Sequence, residues 1–290
     1  MARLQFLFLG NVQVSISKKI PTIVLVLIFL TGLSLLLYPT ISDCWNSYHQ
    51  SRAIARYTEQ VAELNSDLYK QLWEDAVAYN ERLLTKPDRY KMTNEEKAEY
   101  ESMLNVSGNG IIGYIEIEKI NCSLPIYHGT AESALQIAAG HIAGTSLPVG
   151  GAGTHCVISG HRGLPSAKLF TNLDKLVEGD TFELHILNEI LTYEVDRISV
   201  VEPDEMGKLE IEEGKDYCTL VTCTPYGINT HRMLVRGRRV ADREKPGQET
   251  AVSETAQEET KIHFSLIPLV IVLIFIILVI LLLIRICRKR

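Results

Sequence analysis

The stretch DYCTLVTCTPYGINTHRMLVRGRRV, residues 216–240, contains two β-branched segments joined by a loop. Period-two alternation places every second residue of the first segment on one face, ending at Cys223. The loop 224–230 is rich in Pro, Gly and Asn, which favour turns. If the two segments pair as antiparallel strands, Cys223 and Arg232 face each other with about 5 Å between their backbones. The stretch therefore predicts a strand pair that presents a thiol beside a guanidinium.

Similar short segments recur from Ile111 onward, separated by Gly, Pro, Asn or Asp. Seven or eight such strands in about 130 residues favour a closed β-barrel or a sandwich. We assign residues 111–240 to this β domain. A helical arm precedes it at 39–110, with a helix expected to be capped at Ser42 and Asp43 and to run to Leu84. A capping box predicts a second helix of the arm at Thr93.

Two uncharged apolar segments, 20–38 and 264–284, are each long enough to cross a bilayer as a helix. The flanks 1–19 and 285–290 carry basic residues and no acidic ones, which predicts that both termini are cytoplasmic. A polar linker, 241–263, would connect the β domain to the second membrane helix. A cleaved signal peptide is the alternative for the first segment, but its length and the lack of a small-residue cleavage site favour a retained anchor.

Composition excludes some functions. The net charge is −6 with 22% charged residues, which does not suit a nucleic-acid-binding protein. Of the six cysteines, Cys287 is expected on the cytoplasmic side, so an odd number lies outside and at least one external thiol is unpaired. No C-x-x-C spacing occurs, which argues against a zinc ribbon or a thioredoxin-type pair. These counts do not by themselves identify Cys223 as a core thiol, half of a disulfide, a ligand or a nucleophile.

The location of Cys223 at a strand end favours a nucleophile. A neighbouring guanidinium favours the thiolate form and offers a hydrogen-bond donor to an oxyanion. A nucleophilic cysteine usually needs a histidine partner. Of the eight histidines, His161 is the best candidate because it ends a strand and enters the glycine-flanked loop SGHRG, residues 159–163.

Two motifs, THCVISGHRGLPSAKLFTNLDKLVEGD at 154–180 and TLVTCTPYGINTHRMLVRGRR at 219–239, resemble those of a sortase, specifically a class C or pilus-assembling sortase. The resemblance covers about 111–240, and the membrane hairpin and helical arm also fit it. It implies an eight-stranded β-barrel, with His161, Cys223 and Arg232 as catalytic residues and with neither a cofactor nor a metal.

The resemblance further implies transpeptidation outside the plasma membrane of a Gram-positive cell. Cys223 would attack the Thr–Gly carbonyl of an LPXTG-like sorting signal on a pilin, and a lysine amine of the next pilin would then resolve the thioacyl enzyme. Anchoring of surface proteins to a peptidoglycan precursor is the alternative within the family. A non-catalytic membrane scaffold that binds surface proteins, and a simple cysteine protease, are the alternatives outside it.

Class C sortases usually carry a lid with an Asp-Pro-aromatic motif. This chain has Asp88-Arg89-Tyr90 in the corresponding region, with arginine in place of proline. We therefore expect a lid, if one is present, to be formed by Asp88 and Tyr90; a plain connection between helices is the alternative.

Overall fold

A computed structural model of the protein describes residues 2–240. The described residues divide into two units at the Leu36–Leu37 boundary. The predicted linker, second membrane segment and basic tail, 241–290, lie outside the described residues. Within the described part, one helical stretch, Val24–Ala62, is long and apolar enough to cross a membrane, with a mean hydropathy of 2.3 over its apolar window and none of that window buried. It supports a membrane anchor at the N-terminus.

Four helices and eight strands make up the described chain. The helices are α1 (Ala2–Ala62), α2 (Ser66–Leu84), α3 (Asn94–Ser102) and the short α4 (Glu132–Leu135). The strands are β1 (Ile111–Ile117), β2 (Cys122–His128), β3 (Ala139–His141), β4 (Thr154–Ser159), β5 (Thr181–Ile186), β6 (Glu189–Val201), β7 (Asp216–Thr224) and β8 (His231–Arg239). Short 3₁₀ turns occur at Glu118–Ile120, Leu173–Lys175 and Gly207–Leu209.

The strands close into a barrel in the order β1-β2-β3-β4-β7-β8-β6-β5. This confirms the predicted eight-stranded barrel. Most neighbours are antiparallel, but β2 with β3 and β4 with β7 are parallel pairs. Alternate residues of each strand fill the barrel interior. Among them are Phe182, Leu184 and Leu220, which are fully buried.

A second, smaller apolar cluster lies on the opposite face of β4, β7 and β8. Val157, Val221 and Leu234 form it, and Leu209 from the β6–β7 loop packs on them. Because Cys223 follows Val221 by two residues, it lies on this outward face, at the end of the strand. This cluster is buried, so it forms a second apolar layer between the outer face of the barrel and the β6–β7 loop.

Each helix of the arm is bound to the β domain by at least one buried polar side chain. Tyr57 of α1 donates to the carbonyl of Ile112 at 3.1 Å and accepts from the amide of Leu187 at 2.8 Å. On α2, Asn80 donates to and accepts from the backbone of Leu147 at 3.0 and 2.7 Å. The Tyr100 hydroxyl of α3 lies 2.8 Å from Nδ1 of His141 in β3. Such buried, directional bonds fix the register of the arm on the barrel.

The expected helix from Ser42–Asp43 to Leu84 is wrong in its bounds. The helix α1 already runs through these residues, and Asp43 does not cap it but accepts the amide of Lys168 at 2.8 Å. The arm then breaks before α2, where the Asn65 side chain caps the new helix by accepting from the amide of Leu68. An N-cap motif predicts a start only when the residues before it leave the helical conformation, and apolar residues before Ser42 continue the helix instead. The capping box of Thr93 and Glu96 is confirmed at the start of α3.

Candidate active site

Strands β7 and β8 hold Cys223 and Arg232 opposite each other. The register of this antiparallel pair matches Cys223 directly with Arg232, as the sequence predicts. The connecting loop contains a cis bond between Thr224 and Pro225 and a left-handed residue at Asn229, with φ of 62°. The turn therefore returns the chain so that the last residues of β7 meet the first residues of β8.

The parallel pairing of β4 with β7 brings His161 to the same end of the barrel. Ser159 is in register with Val221, and the ladder continues one step further, since the amide of Gly160 donates to the carbonyl of Val221 at 3.0 Å. The hydroxyl of Thr222 then donates to the carbonyl of Gly160 at 2.8 Å. His161 follows Gly160 and Cys223 follows Thr222, so both residues lie at the same end of the β4–β7 pair.

The imidazole of His161 is mostly enclosed, with 27% of its side chain exposed. Its Nε2 atom is shielded from solvent and makes no hydrogen bond. Glu132, at the start of α4, is the nearest acid, with Oε2 at 3.6 Å from Nε2. A ring nitrogen that makes no hydrogen bond within the protein can exchange a proton with a bound substrate.

The guanidinium of Arg232 is oriented by the loop that precedes it. Its Nη1 donates to the carbonyl of His231 at 3.1 Å and to that of Asn229 at 3.3 Å. Two such bonds leave further N–H donors of the guanidinium for a substrate. Cys223 is half-buried and unbonded to another cysteine.

The other thiols differ from Cys223 in their surroundings. The five cysteines within residues 2–240 are all free. Burial raises the pKa of the Cys122 thiol to about 12 and raises that of Cys218 well above its ordinary value. Since the thiolate is the nucleophile, these two thiols are unreactive at neutral pH. Against the effect of burial, hydrogen bonds from Cys218 and His141 lower the pKa of Cys156, but this thiol is buried in the barrel interior, out of reach of a substrate. Cys44 lies on α1, away from any strand end, so among the described cysteines Cys223 is the one at a strand end with a site around it.

The loop that follows His161 is tied down at two points. Arg162 forms an ion pair with Asp174, and its guanidinium lies 5.9 Å from the ring centroid of Tyr226 in the β7–β8 loop. Further along, Lys168 is held by Asp43 of α1, through its amide at 2.8 Å and its ammonium at 3.0 Å. The histidine loop and the cysteine loop are therefore braced against each other and against the arm.

The predicted lid residues, Asp88 and Tyr90, lie towards the end of β4 that is opposite to His161. Asp88, in a left-handed conformation with φ of 50°, is largely exposed and pairs with Lys91 at 3.3 Å. Between them Arg89 binds Glu210 of the β6–β7 loop at 2.9 Å, and Tyr90 packs against Gly144. The carbonyl of Glu210 accepts a hydrogen bond from Nδ1 of His155. His155 lies near the start of β4, roughly 20 Å along the strand direction from His161.

Among the described residues, the hydrogen bonds and ion pairs of 88–90 therefore reach the β6–β7 loop, and none reaches His161, Cys223 or Arg232. The lid hypothesis for Asp88 and Tyr90 stays a prediction.

Several residues that shape the site are absent from the sequence-based prediction. The interior hydroxyl of Thr222 and the acid of Glu132 carry no local signature, because their partners are far away in the sequence.

A separate cluster was also not predicted. Glu116, Glu183 and His185 form the one cluster of metal-ligating side chains found within residues 2–240. It lies on β1 and β5, far from Cys223 in strand order. Period-two alternation relates Glu183 to His185, but only the strand pairing adds Glu116.

Comparisons with known proteins agree with this arrangement. The sortase-domain family model matches residues 115–240. The crystal structure of sortase C1 from Streptococcus agalactiae is 50% identical with a TM-score of 0.65, and the similarity covers 66% of this chain and 100% of that one. The X-ray structure of Clostridium perfringens sortase C with the C-terminal cell wall sorting motif is 43% identical with a TM-score of 0.59, over 66% of this chain and 99% of that one.

Sortase D of Bacillus subtilis (strain 168) is 30% identical over 131 residues, which are 44% of this chain and 63% of that protein. The match thus spans just under two thirds of that curated relative. The matched region contains the whole strand system that positions His161, Cys223 and Arg232. The chain belongs to the sortase family, whose members are cysteine transpeptidases, and the solved structures it resembles are class C sortases.

Proposed function

We propose that this protein is a membrane-anchored transpeptidase that joins pilins, with His161, Cys223 and Arg232 as its catalytic residues. The observation that carries the proposal is the meeting of these three residues at one end of β4, β7 and β8. Cys223 and Arg232 come from the hairpin of β7 and β8, and His161 comes from the end of β4, about 60 residues earlier. The substrate would carry an LPXTG-like sorting signal, and the Clostridium perfringens sortase C structure, which holds a C-terminal cell wall sorting motif, supports this class of substrate.

In the first half-reaction, Sγ of Cys223 attacks the carbonyl carbon of the threonine in the Thr–Gly bond. Arg232 holds the sorting signal and donates hydrogen bonds to the oxyanion that develops. The C–N bond breaks, and the glycine amine leaves with the proton that the Cys223 thiol has given up to His161. The threonine acyl group remains on Cys223 as a thioester.

In the second half-reaction, a lysine amine of the next pilin attacks the thioester. His161 removes the proton from this amine, the C–S bond breaks, and Cys223 regains its proton. An isopeptide bond joins the two subunits. The Nε2 atom of His161 is shielded from solvent and makes no hydrogen bond within the protein, which suits proton transfer in both directions.

We further propose the two-pass arrangement, with membrane helices at 20–38 and 264–284 and both termini in the cytoplasm. The apolar helix at the N-terminal end of the described chain and the basic residues that flank both apolar segments support it. The catalytic domain would then work on the outer face of the plasma membrane. Anchoring of surface proteins to a peptidoglycan precursor uses the same residues with a different amine, and it is the second candidate.

The decisive experiment incubates the full chain, purified in detergent, with an LPXTG peptide and measures the intact protein by mass spectrometry. We expect a thioacyl adduct in the parent and in Cys44→Ala, and no adduct in Cys223→Ala. Adding a lysine-containing pilin peptide should convert the adduct into a branched product. An adduct that persists in Cys223→Ala contradicts the proposed nucleophile, and peptide binding without any adduct in the parent favours the scaffold. Hydrolysis that equals amine transfer at millimolar amine favours a protease.

The lid hypothesis has its own test. If Asp88 and Tyr90 cover the site, the Asp88→Ala, Tyr90→Ala double variant should react faster with a thiol reagent at Cys223. Unchanged labelling counts against a lid and favours a plain connection between helices.

A further inference from the structure

A second cluster of reactive side chains lies where β1 and β5 close the barrel. This ladder consists of three pairs in register, Tyr114 with His185, Ile115 with Leu184, and Glu116 with Glu183. The middle pair points into the barrel, so the first and third pairs share the outer face. In strand order, β1 and β5 lie on the side of the barrel opposite to β4 and β7, so this cluster is separate from the catalytic site.

The composition of this face needs an explanation. Two glutamates directly opposite each other in an antiparallel pair repel and destabilise the pairing. His185 lies next to both, with Nε2 at 3.4 Å from Oε2 of Glu116 and at 3.5 Å from Oε2 of Glu183. The Nε2 atom is shielded from solvent, yet neither contact is a hydrogen bond. The imidazole therefore aims a nitrogen between two carboxylates without bonding to either.

These distances are those of ligands around a metal ion. Zn²⁺ binds imidazole nitrogen and carboxylate oxygen at about 2.0–2.2 Å, so two ligand atoms of a tetrahedral site lie about 3.3 Å apart. One ligand atom from each of the three residues lies within 4.8 Å of the others. Two ligands at positions i and i+2 of one strand, with a third on the neighbouring strand, converge on one point above the sheet.

The imidazole is also held in place. The ring of Tyr114 stacks on that of His185, with centroids 4.3 Å apart and an angle of 7° between the planes. Tyr57 of α1 in turn meets Tyr114 edge-on, at 6.5 Å between centroids. Only 13% of the His185 side chain is exposed, whereas the Glu116 side chain is 47% exposed. A buried nitrogen beside a more exposed carboxylate would allow an ion to enter from solvent and bind.

We propose that Glu116, Glu183 and His185 form a binding site for a divalent transition metal, best matched by Zn²⁺, with water completing the coordination. The mixed nitrogen and oxygen donors favour such an ion over Ca²⁺ and Mg²⁺, which prefer oxygen ligands alone. The ion would neutralise the opposed glutamates and crosslink β1 to β5 across the short closing ladder. Its role is to stabilise the closed barrel, and it takes no part in the chemistry at Cys223.

The test is calorimetric titration of Zn²⁺ into the full chain in detergent. The background is Cys223→Ala, so that the catalytic thiol cannot bind the ion. We expect one zinc per chain in this background, and at least tenfold weaker binding in Glu183→Gln and in His185→Gln. Glu118→Gln, which removes an exposed acid two residues from Glu116, is the matched control and should bind as the parent does.

Thermal unfolding provides the second measurement. Zn²⁺ should raise the Tm of the parent and of Glu118→Gln, and leave that of Glu183→Gln unchanged. Without zinc, Glu183→Gln should be at least as stable as the parent, because it removes a like-charge contact. No binding in the parent, or equal binding in parent and ligand variants, overturns the proposal. A Tm that is insensitive to zinc in every variant does so too.

Discussion

Cys223 and Arg232 are a cross-strand pair of β7 and β8, in direct register at the point where the ladder ends. The adjacent loop carbonyls of Asn229 and His231 hold the guanidinium. On the other side of β7, the parallel strand β4 continues through Gly160 to His161, which lies at the same end of the barrel as Cys223. The strand pairings therefore set the geometry of the site.

Replacing Arg232 by lysine should lower kcat/KM for amine transfer by about 10²–10³, the usual cost of losing one oxyanion donor. Lysine keeps the charge but loses the planar fork of donors. Arg238→Lys is the control, since Arg238 lies further along the same strand and pairs with Glu194 at 2.7 Å. The measurement is steady-state transfer of an LPXTG peptide to a lysine peptide. An equal loss in both variants would mean that charge or strand stability, and not the position of Arg232, matters.

Replacing Thr222 by valine should lower stability by about 1 kcal/mol and slow the transfer reaction. The hydroxyl donates to the carbonyl of Gly160, and valine has the same shape without the donor. Thr222→Ser keeps the hydroxyl and should restore most of the rate. Urea unfolding and transfer kinetics are the measurements. A valine variant with the parent rate would show that this bond does not position His161.

Gly160 has no room for a side chain. A Cβ at this position would lie 2.6 Å from Cδ2 of Phe170, and Phe170 is fully buried. Gly160→Ala should therefore destabilise the protein by about 1–3 kcal/mol through overpacking and displace the neighbouring His161. The double variant with Phe170→Leu should recover part of the stability and of the rate. If the second substitution adds a further independent loss, the clash with Phe170 is not the cause.

Acidification should destabilise the protein through His128. Burial lowers the pKa of His128 from 6.5 to about 4. The unfolded chain therefore takes up the proton at a higher pH than the folded chain, so stability is complete above pH 6.5 and declines as the pH falls towards 4. At pH 5 the loss from this residue is about 2 kcal/mol.

Urea unfolding at pH 7 and pH 5 measures this loss. His128→Asn should reduce the difference between the two pH values, whatever its effect on stability at pH 7. His49→Asn, which changes an exposed residue of α1, should leave the difference as in the parent. The same pH dependence in all three proteins would contradict the assignment to His128.

Much of the β domain could be predicted because its signals are local. Period-two alternation and turn residues identify β7, the loop and β8, and the register of Cys223 with Arg232 follows from them. The boundaries of the arm could not be predicted in the same way. Asp43 is a capping residue in isolation, but in the folded chain its carboxylate binds Lys168, which is 125 residues away.

The sequence by itself determined the strand pattern, the apolar segments and the two motifs that identify the family. Each of these features depends on residues close together in the chain, so it can be predicted from the local order of the amino acids. Only the tertiary structure decided that Thr222 binds Gly160, that Asp88–Tyr90 contacts the β6–β7 loop, and that Glu116 joins Glu183 and His185. These contacts depend on how the barrel closes, and closure is a property of all eight strands together.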